Sequence, residues 1–180
     1  MFTDPVKNLK AFGLRENDIV ADLGAGTGFY SMAAAKMVPN GKVYAIEVQK
    51  DFLTAVKNKA KEAHLDNLET LWGNIEKIGG TKIGDDVVDA VIVSNVLFQV
   101  EDKRKFIDET KRILKSGGRV LLIDWSEASA FAKASADKSP LGIVTENKAK
   151  EMFEEKGFIW DRKIDAGEHH YGMILRKATQ

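Results

Sequence analysis

Residues 20–30 read V-A-D-L-G-A-G-T-G-F-Y. Three glycines, Gly24, Gly26 and Gly28, stand at every second position behind a short apolar run that holds one acid, Asp22. Glycine loses more conformational freedom on folding than any other residue. Such a cluster therefore marks a backbone that needs unusual angles, or one that something approaches closely. Next to the start of a helix, a bare backbone suits a nucleotide-like ligand. A tight turn with nothing bound is the plainer alternative. A second acid favours the ligand: Glu47 ends the next apolar run, 23 positions after Gly24. That is close to the spacing at which a carboxylate accepts hydrogen bonds from ribose hydroxyls. The dinucleotide fingerprint G-x-G-x-x-G/A is not met, because the sixth position from Gly24 is Phe29, too large for close helix–strand packing.

Other candidates for chemistry are few. There is no cysteine, so no disulfide, no cysteine-ligated metal and no thiol nucleophile. His64 falls late in a surface helix. His169 and His170 are adjacent, and neighbours on a strand point to opposite faces, which argues against a metal site. No general base stands out, and no metal site is expected.

These residues need a frame. Residues 18–23 (DIVADL), 42–48 (KVYAIEV), 67–72, 87–93 (VVDAVIV) and 119–125 (RVLLIDW) read as strands. Helices are expected over 29–38, 51–64, 101–114 and 145–156, the last with Thr145 as N-cap and Gly157 past its end. Residues 52, 56, 60 and 63 share one helical face, as do Phe106, Ile107, Thr110, Ile113 and Leu114. Pro39-Asn40-Gly41 and Ser116-Gly117-Gly118 read as stops. The alternation implies right-handed βαβ units: an α/β, Rossmann-like, doubly wound and mostly parallel seven-stranded sheet with helices on both faces. Residues 158–164 and 171–176 close the chain. Their link is too short for a helical crossover, so the last strand is antiparallel. Residues 128–139 (ASAFAKASADKS) lack an apolar stripe and read as a surface insertion, with a flap beside a ligand site as the sharper reading.

The 180 residues suit one domain, 1–180, around a single core. Lys plus Arg and Asp plus Glu both number 27, a balance that disfavours a nucleic-acid partner. No apolar run approaches the roughly 20 residues of a membrane helix. A cytoplasmic protein without membrane insertion is expected.

With these motifs in place, the chain resembles the class I S-adenosylmethionine-dependent methyltransferases. ADLGAGTG is similar to that family's first motif and AIEV to its second; residues 89–125, with the K-S-G-G turn, are similar to its fourth-strand, helix and fifth-strand region. Among subgroups the likeness is to small methyltransferase-domain proteins of the ubiquinone/menaquinone-pathway C-methyltransferase type. The resemblance implies a cofactor, S-adenosyl-L-methionine, and roles. Gly24, Ala25, Gly26 and Gly28 would lie against its methionine part, and Asp22 would orient the amino group. Glu47 would hold the ribose hydroxyls, with Val48 on the adenine. Asn74 and Ile75 would flank the adenine, although Asp is common at the first of these positions in the family. Ser94, Asn95 and Val96 would line the methyl-transfer side. Tyr30, Phe98, Gln99 and Trp125 are candidates to line the acceptor pocket.

The acceptor is expected to be a small molecule, in a site complete by itself or closed by a second subunit in a homodimer. Lack of cysteine excludes thiol-dependent methylation of cytosine C5 or arsenite. S-N-V-L at 94–97 departs from the Asn/Asp-Pro-Pro-aromatic motif of amino-methyltransferases. Two other readings stand beside this one: a non-catalytic cofactor-binding partner or regulatory protein, and an NAD-dependent oxidoreductase.

Overall fold

Near-continuous apolar runs are what strands buried on both faces require. The computed structural model describes residues 4–126 and 143–179; the Ala/Ser/Lys-rich stretch 128–139 lies outside them. In chain order the elements are α1 Pro5–Phe12, β1 Ile19–Leu23, α2 Phe29–Met37, β2 Lys42–Glu47, α3 Lys50–Glu62, β3 Leu68–Trp72, β4 Val88–Ser94, α4 Lys103–Ile113, β5 Leu114–Trp125, α5 Glu146–Glu155, β6 Phe158–Ile164 and β7 His170–Lys177.

The strands form one seven-stranded sheet in the order β3-β2-β1-β4-β5-β7-β6. β1 to β5 are parallel, and β7 runs antiparallel to both β5 and β6. The order reverses between β1 and β4, so the carboxyl ends of these two central strands form the crevice where ligands of such sheets bind.

Alternation along each strand builds two cores. Val20, Ala90, Ile92, Leu121 and Ile123 face one side, where Leu9 and Phe12 of α1 and Ala34 of α2 cover them. Ala21, Leu23, Val91, Val93, Val120 and Leu122 face the other, under Phe106 and Ile107 of α4 and Ala149 and Phe153 of α5. Thr145 caps α5 by accepting from Lys148 N, as its position suggests.

The structure departs from the sequence reading at three places. α1 was not anticipated. Asp4 caps it by accepting from Lys7 N, Pro5 opens it, and Gly13 closes it in the left-handed region. β5 begins at Leu114, before the Ser116-Gly117-Gly118 stop. Val88 pairs with Leu114 and Ala90 with Arg119, so the glycines sit in a bulge inside the strand. On α3 the buried residues are Leu53, Val56 and Ala60; Phe52 is half-buried and Ala63 is exposed, so the helix is rotated by about one position.

Candidate functional site

The glycine turn leaves β1 at the crevice. The amides of Gly24 and Ala25 both donate to Ile46 O of β2, at 2.9 and 3.0 Å, which pins the turn against the neighbouring strand. All three glycines have positive φ: 73° at Gly24, 50° at Gly26 and 79° at Gly28. Their surroundings differ. A Cβ on Gly24 would lie 2.7 Å from Val96 Cγ2, and one on Gly28 would lie 2.7 Å from Val56 Cγ2. A Cβ on Gly26 would meet nothing within 4 Å. Gly24 and Gly28 thus make room for protein, whereas Gly26 faces open space.

That space is a cavity of about 790 Å³. Of the residues proposed from sequence, Asp22, Gly24, Ala25, Gly26, Glu47, Val48, Asn74, Ile75, Ser94, Asn95 and Val96 line it, and so do Tyr30 and Gln99. Gly28 does not: it opens α2 and packs on Val56. Phe98 and Trp125 do not either. Phe98 turns its backbone N–H toward Asp124, and Trp125 stacks on His170 across the β5–β7 pair, with ring centroids 4.3 Å apart. Neither His64, exposed past the end of α3, nor His169 or His170 reaches the cavity. Thr27, Phe29, Gln49, Phe52 and Glu76 complete part of the wall without having been anticipated.

Two acids define the floor. Glu47 is almost buried, and both its oxygens are engaged: Oε1 accepts from Val48 N (2.8 Å) and Gln49 N (3.0 Å), Oε2 from Gly26 N (3.0 Å). Asp22 accepts from Ser31 Oγ at 2.5 Å. Burial pushes the Asp22 carboxyl up to about 6 against the bonds from Ser31, and the Glu47 charge adds to the rise. With its pKa at about 6, Asp22 is mostly ionised at neutral pH, so the floor favours a cationic ligand group beside it.

At the other end, Asn74 Oδ1 accepts from Glu76 N (2.8 Å), and Glu76 Oε2 accepts the amides of Glu101 and Asp102 (2.9 and 2.8 Å). This ties the loop after β3 to the start of α4. The same loop is anchored lower down by Glu109, a fully buried acid within the apolar face of α4. It accepts from Gly79 N, Thr81 N, Thr81 Oγ1 and Arg112. Burial raises the Glu109 pKa, but hydrogen bonds from Arg112, Thr81 and Gly79 outweigh it and hold the carboxyl at about 2.

The wall after β4 is the 94–100 loop. Asn95 has a left-handed backbone (φ 57°), and its Oδ1 is buried with no hydrogen-bond partner among the described residues. Asp124, 2% exposed at the end of β5, accepts from Phe98 N (3.2 Å) and Trp125 N (2.7 Å). Burial pushes its carboxyl up to about 6, against those amides, that of Leu97 and the charge of Lys103. Opposite it, burial and the charges of Asp124 and Glu146 raise the Tyr171 phenol.

Comparison with known proteins adds an independent line. Residues 14–157 match the family model described as a methyltransferase domain. The chain is 30% identical to an arsenite methyltransferase of Halobacterium salinarum over 159 residues, 84% of this chain and 40% of that protein's length. It is 27% identical to a demethylmenaquinone methyltransferase of Listeria welshimeri, across 93% of this chain and 83% of that one. The crystal structure of an S-adenosylmethionine-dependent methyltransferase from Aquifex aeolicus superposes with a TM-score of 0.84 at 31% identity, covering 98% of this chain and 91% of that one.

Proposed function

The chain belongs to the methyltransferase-domain family, whose methyl donor is S-adenosylmethionine, and from that premise we propose that it methylates a small-molecule acceptor held at the 94–100 side of the cavity. One observation carries the assignment of the site: Gly26 presents bare backbone to a cavity whose floor is the acid pair Asp22 and Glu47.

The residues fit the donor part by part. Ionised Asp22 suits the ammonium of the methionine moiety. Glu47 suits the ribose hydroxyls: its three amide donors fix the carboxylate in place and leave lone-pair capacity for a ligand. Val48, half exposed at the cavity, offers an apolar face to the adenine, with Ile75 nearby on the wall. Asn74 Oδ1 keeps a lone pair beyond the one used by Glu76 N. Gly28 supports the site from behind by letting α2 and α3 approach.

When bound, the donor supplies an activated methyl group on a sulfonium. The tasks left to the chain are alignment of the acceptor and exclusion of water. The 94–100 loop and Tyr30 form the wall suited to alignment. With Asp22, Glu47 and Glu76 on the wall, the cavity disfavours anionic acceptors. The chain has no cysteine, so it offers no thiolate to a soft metalloid such as arsenite.

The test is a screen with donor carrying a labelled methyl group against phenols, quinols, small amines and cell-extract fractions. Label in a low-molecular-weight product is expected. Label confined to protein or nucleic-acid fractions would overturn the small-molecule reading.

A further inference from the structure

The 94–100 loop forms the cavity wall nearest the glycine turn, and Val96 Cγ2 is the atom that leaves no room for a Cβ on Gly24. A small shift of this loop therefore changes the clearance over the turn. The loop is not a relaxed segment. Asn95 has a left-handed backbone, a sparsely used state that Asn enters more readily than most non-glycine residues, and its buried Oδ1 lacks a partner among the described residues. Strained positions persist only where their surroundings hold them.

Val96, Leu97 and Val100 anchor the loop in the core, and a small set of polar contacts fixes its backbone. Asn95 N donates to Ile123 O (2.9 Å), and Gln99 closes a turn inside the loop through Val96 O and Asn95 O (2.9 Å each). Two side chains from outside reach the loop backbone: Lys103 Nζ donates to Val100 O (2.7 Å), and Asp124 Oδ2 accepts from Phe98 N. Asp124 reaches the middle of the loop, and it does so as a buried acid within an otherwise apolar strand end, where Ile123 and Leu122 are fully buried. A buried carboxylate there is costly unless its hydrogen bonds serve the fold. Its bonds go to its own strand and to this loop, and the facing Tyr171 hydroxyl has no partner among the described residues.

We propose that Asp124 is a positioning residue for methyl transfer: through Phe98 N it holds the 94–100 loop, with Val96 packed on Gly24, against the glycine turn and so sets the shape of the donor cavity that Gly26 faces. The proposal rests on the cavity being the donor site, so its test carries a separate control for that reading. S-adenosylhomocysteine is titrated calorimetrically into the wild-type chain, Asp124→Ala, Asp124→Asn and Glu47→Ala, and amide hydrogen exchange is followed over 95–100. Asp124→Ala is expected to weaken binding about tenfold and to speed exchange at Phe98 and Gln99. Asp124→Asn, which keeps an oxygen for Phe98 N, should recover to within about threefold of wild type; this rescue separates positioning from bulk stability. If Asp124→Ala fails to fold, Asp124→Leu, which fills the space without an acceptor, carries the test: about tenfold weaker binding with faster Phe98 exchange supports the proposal. Wild-type binding and exchange in Asp124→Ala or Asp124→Leu, with Glu47→Ala weakened, overturns it and leaves the site intact. Wild-type binding in Glu47→Ala overturns the site reading itself.

Discussion

Substituting alanine at each glycine of the turn in separate variants should split their roles. At Gly28 the alanine must adopt φ near 79° and place its Cβ 2.7 Å from Val56 Cγ2. The left-handed backbone costs about 1–2 kcal/mol, and forcing a methyl into a packed contact about 1–3 more. A loss of about 3 kcal/mol is expected, which lowers the melting temperature by roughly 6–12 °C for a chain of this size. Gly24→Ala faces Val96 at the same distance and should cost a similar amount. Gly26→Ala has nothing within 4 Å, so its cost is that of the left-handed φ of 50° alone. Its cost to stability should be about 1 kcal/mol, roughly 2–4 °C. Its methyl would instead occupy donor space, weakening S-adenosylhomocysteine by at least about tenfold. Thermal melts and calorimetry on the three variants read both effects. A Gly26→Ala protein that binds like wild type, or a Gly28→Ala protein that keeps its melting temperature, would refute the division between glycines that admit protein and a glycine that admits ligand.

Asp22→Asn should stabilise the ligand-free protein at pH 8 while weakening the donor. The Asp22 pKa is raised to about 6, so the folded state disfavours its charged form. That penalty is absent at low pH, grows as pH rises from the unfolded value through about 6, and approaches roughly 3 kcal/mol. The gain in melting temperature should therefore shrink at pH 5, and a gain equal at both pH values would contradict the assignment. Glu109 has the opposite sign. With its pKa held at about 2, it contributes stability that is complete above about 4.5 and lost as pH falls toward 2. Glu109→Ala should cost about 3–5 kcal/mol at pH 7, because Arg112 loses its buried partner; denaturant melts at pH 7 and 3 should show the variant less acid-sensitive.

Much of this was legible in local chemistry. The glycine turn, Asp22 and Glu47 announce a cradle because few other functions need those residues at that spacing, and the continuous apolar strands impose the doubly wound sheet that brings Asn74 and Ser94 to the same crevice. What was missed depended on tertiary partners or weak local signals. Phe52 and Leu53 are adjacent and both apolar, and only packing decides which of them enters the core and which the cavity. Nothing local marks Glu109 as a buried anchor, because Thr81 and Gly79, which satisfy it, lie 28 and 30 positions away. The bulge at Gly117 and Gly118 reads as a stop until β4 is seen to pair on both sides of it. Two signals were available and unused. Asp4-Pro5 and Gly13 bracket α1 with ordinary caps, and Asp124 is a lone acid in RVLLIDW just as Asp22 is in VADL.

The central claim is that this cavity binds the methyl donor through Glu47. Calorimetric titration of S-adenosylhomocysteine into the wild-type chain and Glu47→Ala, with NADH as the competing ligand, tests it directly. The account predicts one-to-one binding of the homocysteine compound, a loss of about ten- to a hundredfold in the variant, and no comparable affinity for NADH. Equal affinity in the two proteins, or tight NADH binding with none of the homocysteine compound, would contradict it.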